Sequence, residues 1–245
     1  MTIQVSPAIR SELAPTGKLR AGINLSNQLL VNPASVDGKL SGIVVDLADE
    51  IGRRLGVPVD QVRYPSPGKL ADAAKNGEWD VGFLGAEAER AKQISFTPAY
   101  LEIEATYLVP AGSPIRGVAD ADRKGVRIAV SGKSAFDLYL SRTLRNAELV
   151  RVTGSEPSFE LFVKDKLDAL AGLRPTLAGF ASRLAGARVL SDHFTAIQQA
   201  IGTPAGRHRG AAYLRAFAED AKASGLVAKL IEKHGVGGVS VAPPA

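Results

Sequence analysis

Short apolar runs alternate with amphipathic stretches along this chain, and the alternation comes in two series. An apolar run that ends in turn residues and leads into a stripe of period 3.6 is the pattern of a β-α-β unit. Repeated, it predicts an α/β protein with helices packed on its sheets. In the first series Leu19–Leu25 reads as a strand and Leu40–Leu55 as a helix. Within that helix Ile43, Leu47, Ile51 and Leu55 recur every four residues until Gly56 and Pro58 stop it. Strands Gln61–Tyr64 and Val81–Leu84 then enclose a helix at Lys69–Asn76, closed by an Asn76-Gly77 turn. The second series has strands at Val126–Val130, Glu148–Val152, Ala169–Leu173 and Arg188–Leu190. Helices at Ala135–Asn146, Ser155–Lys166 and Pro175–Leu184 lie between them. Extended stretches near Leu101–Val109 and Phe194–Ile201 join the two series. Helices Ala211–Gly225 and Leu226–His234 follow, and the tail Gly235–Ala245 reads as a surface segment. The pattern suits two lobes with paired crossings, but periodicity alone does not require them.

Several function classes are excluded or disfavoured before any motif is considered. The net charge is +5, but the basic residues are scattered among acids and form no run interleaved with aromatics. That speaks against nucleic acid and for a mild preference for anionic small ligands. No stretch of eighteen apolar residues exists, so no membrane insertion is expected. Without cysteine, no disulfide or thiolate chemistry is available. His193, His208 and His234 share no metal-ligand spacing, and Gly202–Gly206 is a turn, not a phosphate loop. No cofactor or metal is expected, and a monomer is. The opening Met1-Thr-Ile-Gln-Val-Ser-Pro is not a secretory leader.

Two stretches carry the most chemistry. The first runs Asp80-Val-Gly-Phe-Leu-Gly-Ala-Glu-Ala-Glu-Arg90 and on to Phe96-Thr-Pro-Ala-Tyr100. The second is Val126-Arg-Ile-Ala-Val-Ser-Gly-Lys-Ser134-Ala-Phe-Asp. Each places hydrogen-bond donors just past the end of a strand, where ligands of open α/β sheets sit. With Gly17-Lys-Leu-Arg-Ala-Gly-Ile, Gly38-Lys-Leu-Ser-Gly-Ile-Val-Val-Asp-Leu-Ala and Ala223-Ser-Gly-Leu-Val-Ala-Lys-Leu-Ile-Glu-Lys-His-Gly, they make the chain resemble bacterial extracellular solute-binding proteins of family 3. Members of that family bind polar amino acids and related acids for ABC importers.

The resemblance implies a two-lobe, type II periplasmic-binding-protein-like fold, each lobe a β-sheet flanked by helices. Lobe 1 is then 1–99 with 201–245 and lobe 2 is 105–195, with hinges at 100–104 and 196–200. It also implies a membrane importer as partner. A periplasmic location is expected if a leader has been removed, and a cytoplasmic one if this chain is the whole product.

Site residues follow by position. Arg90 falls where the family places the arginine that clamps the ligand carboxylate, a task suited to a planar, bidentate guanidinium. Its plain alternative is a surface arginine paired with Glu87 or Glu89. Before it, Gly85 replaces the usual hydroxyl residue, leaving backbone groups to serve. Phe83 is either a pocket wall or a core residue. Ser131, Lys133 and Ser134 stand in the turn that holds the other carboxylate oxygen, with the N–H groups of Lys133 and Ser134 expected to point outward. Ser134 also reads as an ordinary N-cap. Asn24 and Asn27 replace the aromatic residue that stacks on the ligand, and Tyr64 and Ser66 are candidates for a wall and a hydroxyl.

The main departure is at Leu173. The family has an aspartate there for the ligand ammonium, and Arg174 follows. Leucine cannot neutralise a buried ammonium, and leaving that charge unpaired costs several kcal/mol. A carboxylate without an amine is therefore the expected ligand. Two alternatives remain: a dehydratase resembling the cyclohexadienyl dehydratases, disfavoured because leucine stands where an acid is wanted, and a ligand sensor without transport.

Overall fold

The computed structural model describes residues 4–32 and 38–245, so Met1–Ile3 of the opening heptapeptide lie outside it. In chain order its regular elements are α1 (Pro7–Leu13), β1 (Leu19–Asn24), α2 (Ile43–Leu55), β2 (Val59–Tyr64), α3 (Pro67–Ala73), β3 (Val81–Gly85), β4 (Ile94–Phe96) and β5 (Leu101–Val109). Then come β6 (Arg127–Ser131), α4 (Ala135–Thr143), β7 (Glu148–Val152), α5 (Ser155–Lys164), β8 (Ala169–Leu173), α6 (Arg174–Ala181) and β9 (Arg188–Val189). The last are β10 (Thr195–Pro204), α7 (His208–Ala223), α8 (Leu226–Lys233) and β11 (Ser240–Val241). The chain divides into two compact units, 1–102 with 198–245 and 103–197, and passes between them along β5 and β10.

In unit 1 the strands run in the order β2-β1-β3-β10, with β2 and β3 parallel to β1 and β10 antiparallel to β3. The apolar stripe of α2 faces inward: Ile43, Leu47, Ile51 and Leu55 are fully buried. Gly56 ends that helix in the left-handed conformation, φ 68°, which costs glycine nothing. Trp79 is also fully buried and donates its indole N–H to the Leu70 carbonyl at 2.9 Å. It fits because β3 carries glycine beneath it: a Cβ on Gly82 would lie 3.1 Å from the indole ring.

Next to Trp79, Asp80 is wholly buried and closes a clamp. Its carboxylate accepts from the backbone N–H and the guanidinium Nε of Arg20, both at 3.0 Å, from Arg20 Nη2 at 2.8 Å and from Arg207 Nη1 at 2.7 Å. Arg207 is the N-cap residue of α7, so one carboxylate ties β1 and β3 to the last long helix pair.

In unit 2 the order is β5-β8-β6-β7, with β6 parallel to β7 and β8, and β8 antiparallel to β5. Its core includes Tyr107, Ile128, Val130 and Leu140, closed by Phe194, whose ring lies tilted 4.8 Å from that of Tyr107.

Several boundaries differ from the expectation, each for a local reason. Leu40 and Ser41 are extended, because Ser41 pairs with Asn32, and α2 starts only after Gly42 at φ 130°. Helix α4 stops at Thr143, not Asn146. The Asp122 carboxylate collects the N–H groups of Arg145, Asn146 and Ala147 at 2.7–3.1 Å and turns the chain. Helix α1 was not expected, although Ser6 as N-cap before Pro7 is a start signal. The tail lies largely at the surface as expected, but it is tied down: β11 pairs with β5, and Ala242 is buried.

Candidate functional site

In unit 1 the candidates gather where β3 ends. Gly85 is its last residue, and the loop that follows is fixed to β10 by Ala86 N–H donating to the Gln198 carbonyl at 2.8 Å. Four residues on, Arg90 starts a short 3-10 turn and is 6 % exposed. Its guanidinium folds back and donates Nη1–H to the Gly85 carbonyl at 2.7 Å. Burial pulls its pKa down to about 10, and the nearby carboxylates of Glu87 and Asp72 offset only part of that. Arg90 is thus buried and not at the surface, with Glu87, a partner named in the plain alternative, among the carboxylates that act on it.

The other unit 1 candidates have structural employment. Phe83 is buried in β3, edge-on to Tyr100 with ring centroids 6.4 Å apart. Tyr64 packs with Leu70 and Trp79, and its hydroxyl donates to Glu78 at 3.2 Å. Burial, helped by that carboxylate, pushes its pKa up to about 12. Ser66 caps α3 by accepting from Lys69 N–H at 3.3 Å. The Asn24 side chain accepts from the backbone N–H and hydroxyl of Ser26 at 3.1 and 2.8 Å, and the backbone carbonyl of Asn27 accepts from the N–H groups of Leu30 and Val31.

In unit 2 the turn after β6 differs from the expectation. Lys133 adopts a left-handed conformation, φ 58°, and helix α4 begins after it with Ser134 as N-cap. The N–H groups of Lys133 and Ser134 do not point outward as free donors. Lys133 N–H donates to the Asp137 carboxylate at 2.7 Å, and Ser134 N–H donates to the Ser131 carbonyl at 3.2 Å. Asp137 is buried and also receives Arg151 Nε at 2.9 Å. A side chain of the protein therefore already sits at this helix start. The signal was present in the sequence, since Ser134 followed three residues later by Asp137 is close to a capping box.

Arg174 is likewise held. Its Nε donates to Glu104 at 2.5 Å, Nη1 to the Leu190 carbonyl at 2.6 Å, and Nη2 to the Ser191 and Asp192 carbonyls at 3.0 Å. Its charge is matched by Glu104 and is not left as added positive charge for a ligand. Leu173 caps α6 by backbone only and lines a recess at the carboxyl ends of β6 and β8.

That recess, small and partly open to solvent, was not foreseen. Its hydroxyl groups are those of Ser131, Ser155, Ser158 and Thr176, and Phe136 and Phe180 supply aromatic walls. Gly154 is pinned beside it. Its N–H donates to Ser131 Oγ at 3.1 Å, and its carbonyl accepts from Ser158 Oγ at 2.6 Å. Among the described residues there is no group of three or more His, Cys, Asp or Glu side chains able to hold a metal ion. No helix among them is long and apolar enough to cross a membrane.

A family model described as bacterial extracellular solute-binding proteins, family 3, matches residues 29–237. No curated protein sequence matches the chain. Among solved structures, the chain is similar to an amino acid ABC transporter substrate-binding protein from Streptococcus pneumoniae bound to L-arginine. Identity is 18 %, coverage 97 % of this chain and 100 % of that one, and TM-score 0.77. It is also similar to holo ArgBP from T. maritima, at 23 % identity, 91 % and 98 % coverage, and TM-score 0.73. A third is the ancestral amino acid-binding protein AncCDT-1, a precursor of cyclohexadienyl dehydratase, at 22 % identity, 91 % and 97 % coverage, and TM-score 0.75. At these identities the likeness shows the fold, a mixed α/β fold of the type II periplasmic-binding-protein kind.

Proposed function

Since the chain belongs to the bacterial extracellular solute-binding proteins, family 3, we propose that it binds a small carboxylate-bearing solute for an ABC-type importer, and that Arg90 anchors the carboxylate. The two units would act as the lobes expected from the sequence. The observation that supports this most is the state of Arg90: a guanidinium that burial holds at a lowered pKa, in the loop past the carboxyl end of a parallel strand. A guanidinium in that loop can hold a ligand carboxylate through two parallel, charge-assisted hydrogen bonds. Binding, not catalysis, is the reading: the recess is lined by hydroxyl and apolar side chains, and the Asp137 carboxylate of the turn is held by Lys133 N–H and Arg151.

The ligand we favour lacks an ammonium group. The similar proteins from S. pneumoniae and the AncCDT-1 ancestor are described as binding L-arginine and as amino acid-binding. In this chain, however, Leu173 stands where the resemblance places the amine's partner. Calorimetric titration with a panel of organic acids and amino acids tests both points. Arg90→Ala should weaken acid binding by roughly 2–5 kcal/mol, as truncating one half of a buried charge pair does. Unchanged affinity in that variant removes the anchor. Tight binding of arginine or glutamine, with no response to amine-free acids, removes the selectivity.

A further inference from the structure

We propose that Asn76 in unit 1 is a site of spontaneous covalent modification. Water converts its side-chain amide to an acid, giving aspartate and isoaspartate, and the change loosens the corner of unit 1 that carries Tyr64 and Trp79.

Sequence and position together single out this residue. Gly77 follows Asn76, whereas Asn24, Asn27, Asn32 and Asn146 precede Leu25, Gln28, Pro33 and Ala147. In this reaction the backbone nitrogen of the next residue attacks the asparagine Cγ, and a side chain on that next residue obstructs the approach. Glycine has none. Gly77 sits at φ 61°, and nothing lies within 4 Å of where its Cβ would be. Asn76 is exposed and ends a single 3-10 turn, Ala74–Asn76. Two hydrogen bonds hold the reacting groups: Gly77 N–H donates to the Ala74 carbonyl at 3.0 Å, and Asn76 Nδ2 donates to Glu78 Oε1 at 3.0 Å. The first closes a lone 3-10 turn and the second lies at the surface, so both open locally at small cost while the unit stays folded. Asn146 differs on each count. Its neighbour Ala147 carries a methyl group, and the Ala147 nitrogen is held by the Asp122 carboxylate at 3.0 Å.

The atoms balance with water as the co-reactant. Gly77 N forms a bond to Asn76 Cγ, the Cγ–Nδ2 bond breaks, and ammonia leaves with the proton that Gly77 N gives up. The cyclic imide left behind takes up one water. Opening between Cγ and the nitrogen restores the ordinary chain as aspartate. Opening between the backbone carbonyl carbon and the nitrogen routes the chain through the side chain as isoaspartate, one carbon longer. Nothing is oxidised or reduced.

Either product removes the amide donor from Glu78 Oε1 and sets a second carboxylate beside it, while Glu78 Oε2 accepts from the Tyr64 hydroxyl at 3.2 Å. Isoaspartate also lengthens a segment whose ends are fixed. Glu78 N–H donates to the Ala73 carbonyl at 3.5 Å, Trp79 Nε1–H to the Leu70 carbonyl at 2.9 Å, and Asp80 N–H to the Arg20 carbonyl at 2.8 Å. Trp79 and Asp80 are fully buried, so the added length is taken up in the turn at the expense of those bonds.

The test is to age the full chain at body temperature for several weeks, at neutral and at mildly alkaline pH, and to compare it with fresh protein. The peptide containing Asn76 should gain the mass of an amide-to-acid exchange and become a substrate for isoaspartyl methyltransferase, ahead of the peptides holding the other asparagines. Alkaline pH should speed the change, because the attacking nitrogen reacts in its deprotonated form. The aged protein should unfold at a lower urea concentration than the fresh one. Asn76→Gln, which would need a six-membered imide, should keep both its mass and its urea midpoint over the same period. An Asn76 peptide that keeps its mass, or that reacts no faster than those of Asn24 and Asn146, overturns the site. Conversion with an unmoved midpoint, or an equal loss of stability in aged Asn76→Gln, overturns the link to the corner.

Discussion

Replacing Asp80 by alanine should be among the more damaging single changes available in unit 1. The carboxylate is fully buried and accepts four hydrogen bonds, three from Arg20 and one from Arg207. Removing one member of a buried ion cluster typically costs about 3–5 kcal/mol, because the remaining charges stay desolvated without a partner. Here the two arginine side chains keep 24 % and 19 % of their surface. They can turn partly to water, so a value toward or just below the bottom of that range applies, about 2–4 kcal/mol. The backbone N–H of Arg20 cannot turn away. It also loses its acceptor, a loss of about 1 kcal/mol contained in that figure. For a chain of this size 1 kcal/mol moves the melting temperature by about 2–4 °C, so a fall of roughly 5–15 °C is expected. Urea unfolding followed by circular dichroism gives the free energy directly. A double-mutant cycle with Arg207→Ala should then show coupling of about 0.5–3 kcal/mol between the two sites. If Asp80→Ala unfolds within 0.5 kcal/mol of the unaltered protein, the clamp is not what holds this end of the sheet.

Two further outcomes concern single carboxylates. Asp122→Ala should destabilise unit 2 by about 1–2 kcal/mol, as the loss of a good cap does, because three consecutive N–H groups lose their acceptor. Faster hydrogen exchange at 145–147 is the local readout. Asp46 should make unit 1 acid-sensitive. Burial raises its pKa, but hydrogen bonds from Lys233 and His234 more than compensate and leave it below the usual carboxylate value. A depressed acid contributes stability that is full above its unfolded pKa of about 3.9 and is lost as pH falls through the folded value. Between pH 5 and pH 3 the urea midpoint should therefore drop more in the unaltered protein than in Asp46→Asn; equal slopes would show that Asp46 contributes nothing there.

What the sequence made legible was local. The stripe of α2, its glycine stop and the serine cap of α4 follow from residues within a turn or two of each other. The strand-then-loop pattern before Arg90 is likewise local, lying within eleven residues. The errors arose where distant residues decide the outcome. Arg174 is claimed by Glu104 and by carbonyls at 190–192, and no spacing rule links those positions. Tyr64 was a fair candidate for a wall until strand parity and Glu78 turned it inward. At Lys133 the backbone conformation mattered: the left-handed turn delivers its N–H to Asp137 and away from solvent. The recess was illegible for a related reason. It is assembled from the ends of β6 and β8, where Ser131 and Leu173 had been singled out, and from the first turns of α5 and α6, which had not.

The pairing of β11 with β5 has a consequence for how this protein is handled and how it associates. Ser240 and Val241 pair with Glu102 and Leu101, and Ala242 N–H donates to the Tyr100 carbonyl at 3.2 Å. Those few residues cover main-chain groups of β5 just where the chain leaves unit 1. A protein clipped before Gly238 would expose a bare strand edge, and a bare edge recruits whatever strand is nearby, including that of another copy. Self-association after trimming the last eight residues is therefore the behaviour to watch for, and an affinity tag belongs at the other end of the chain.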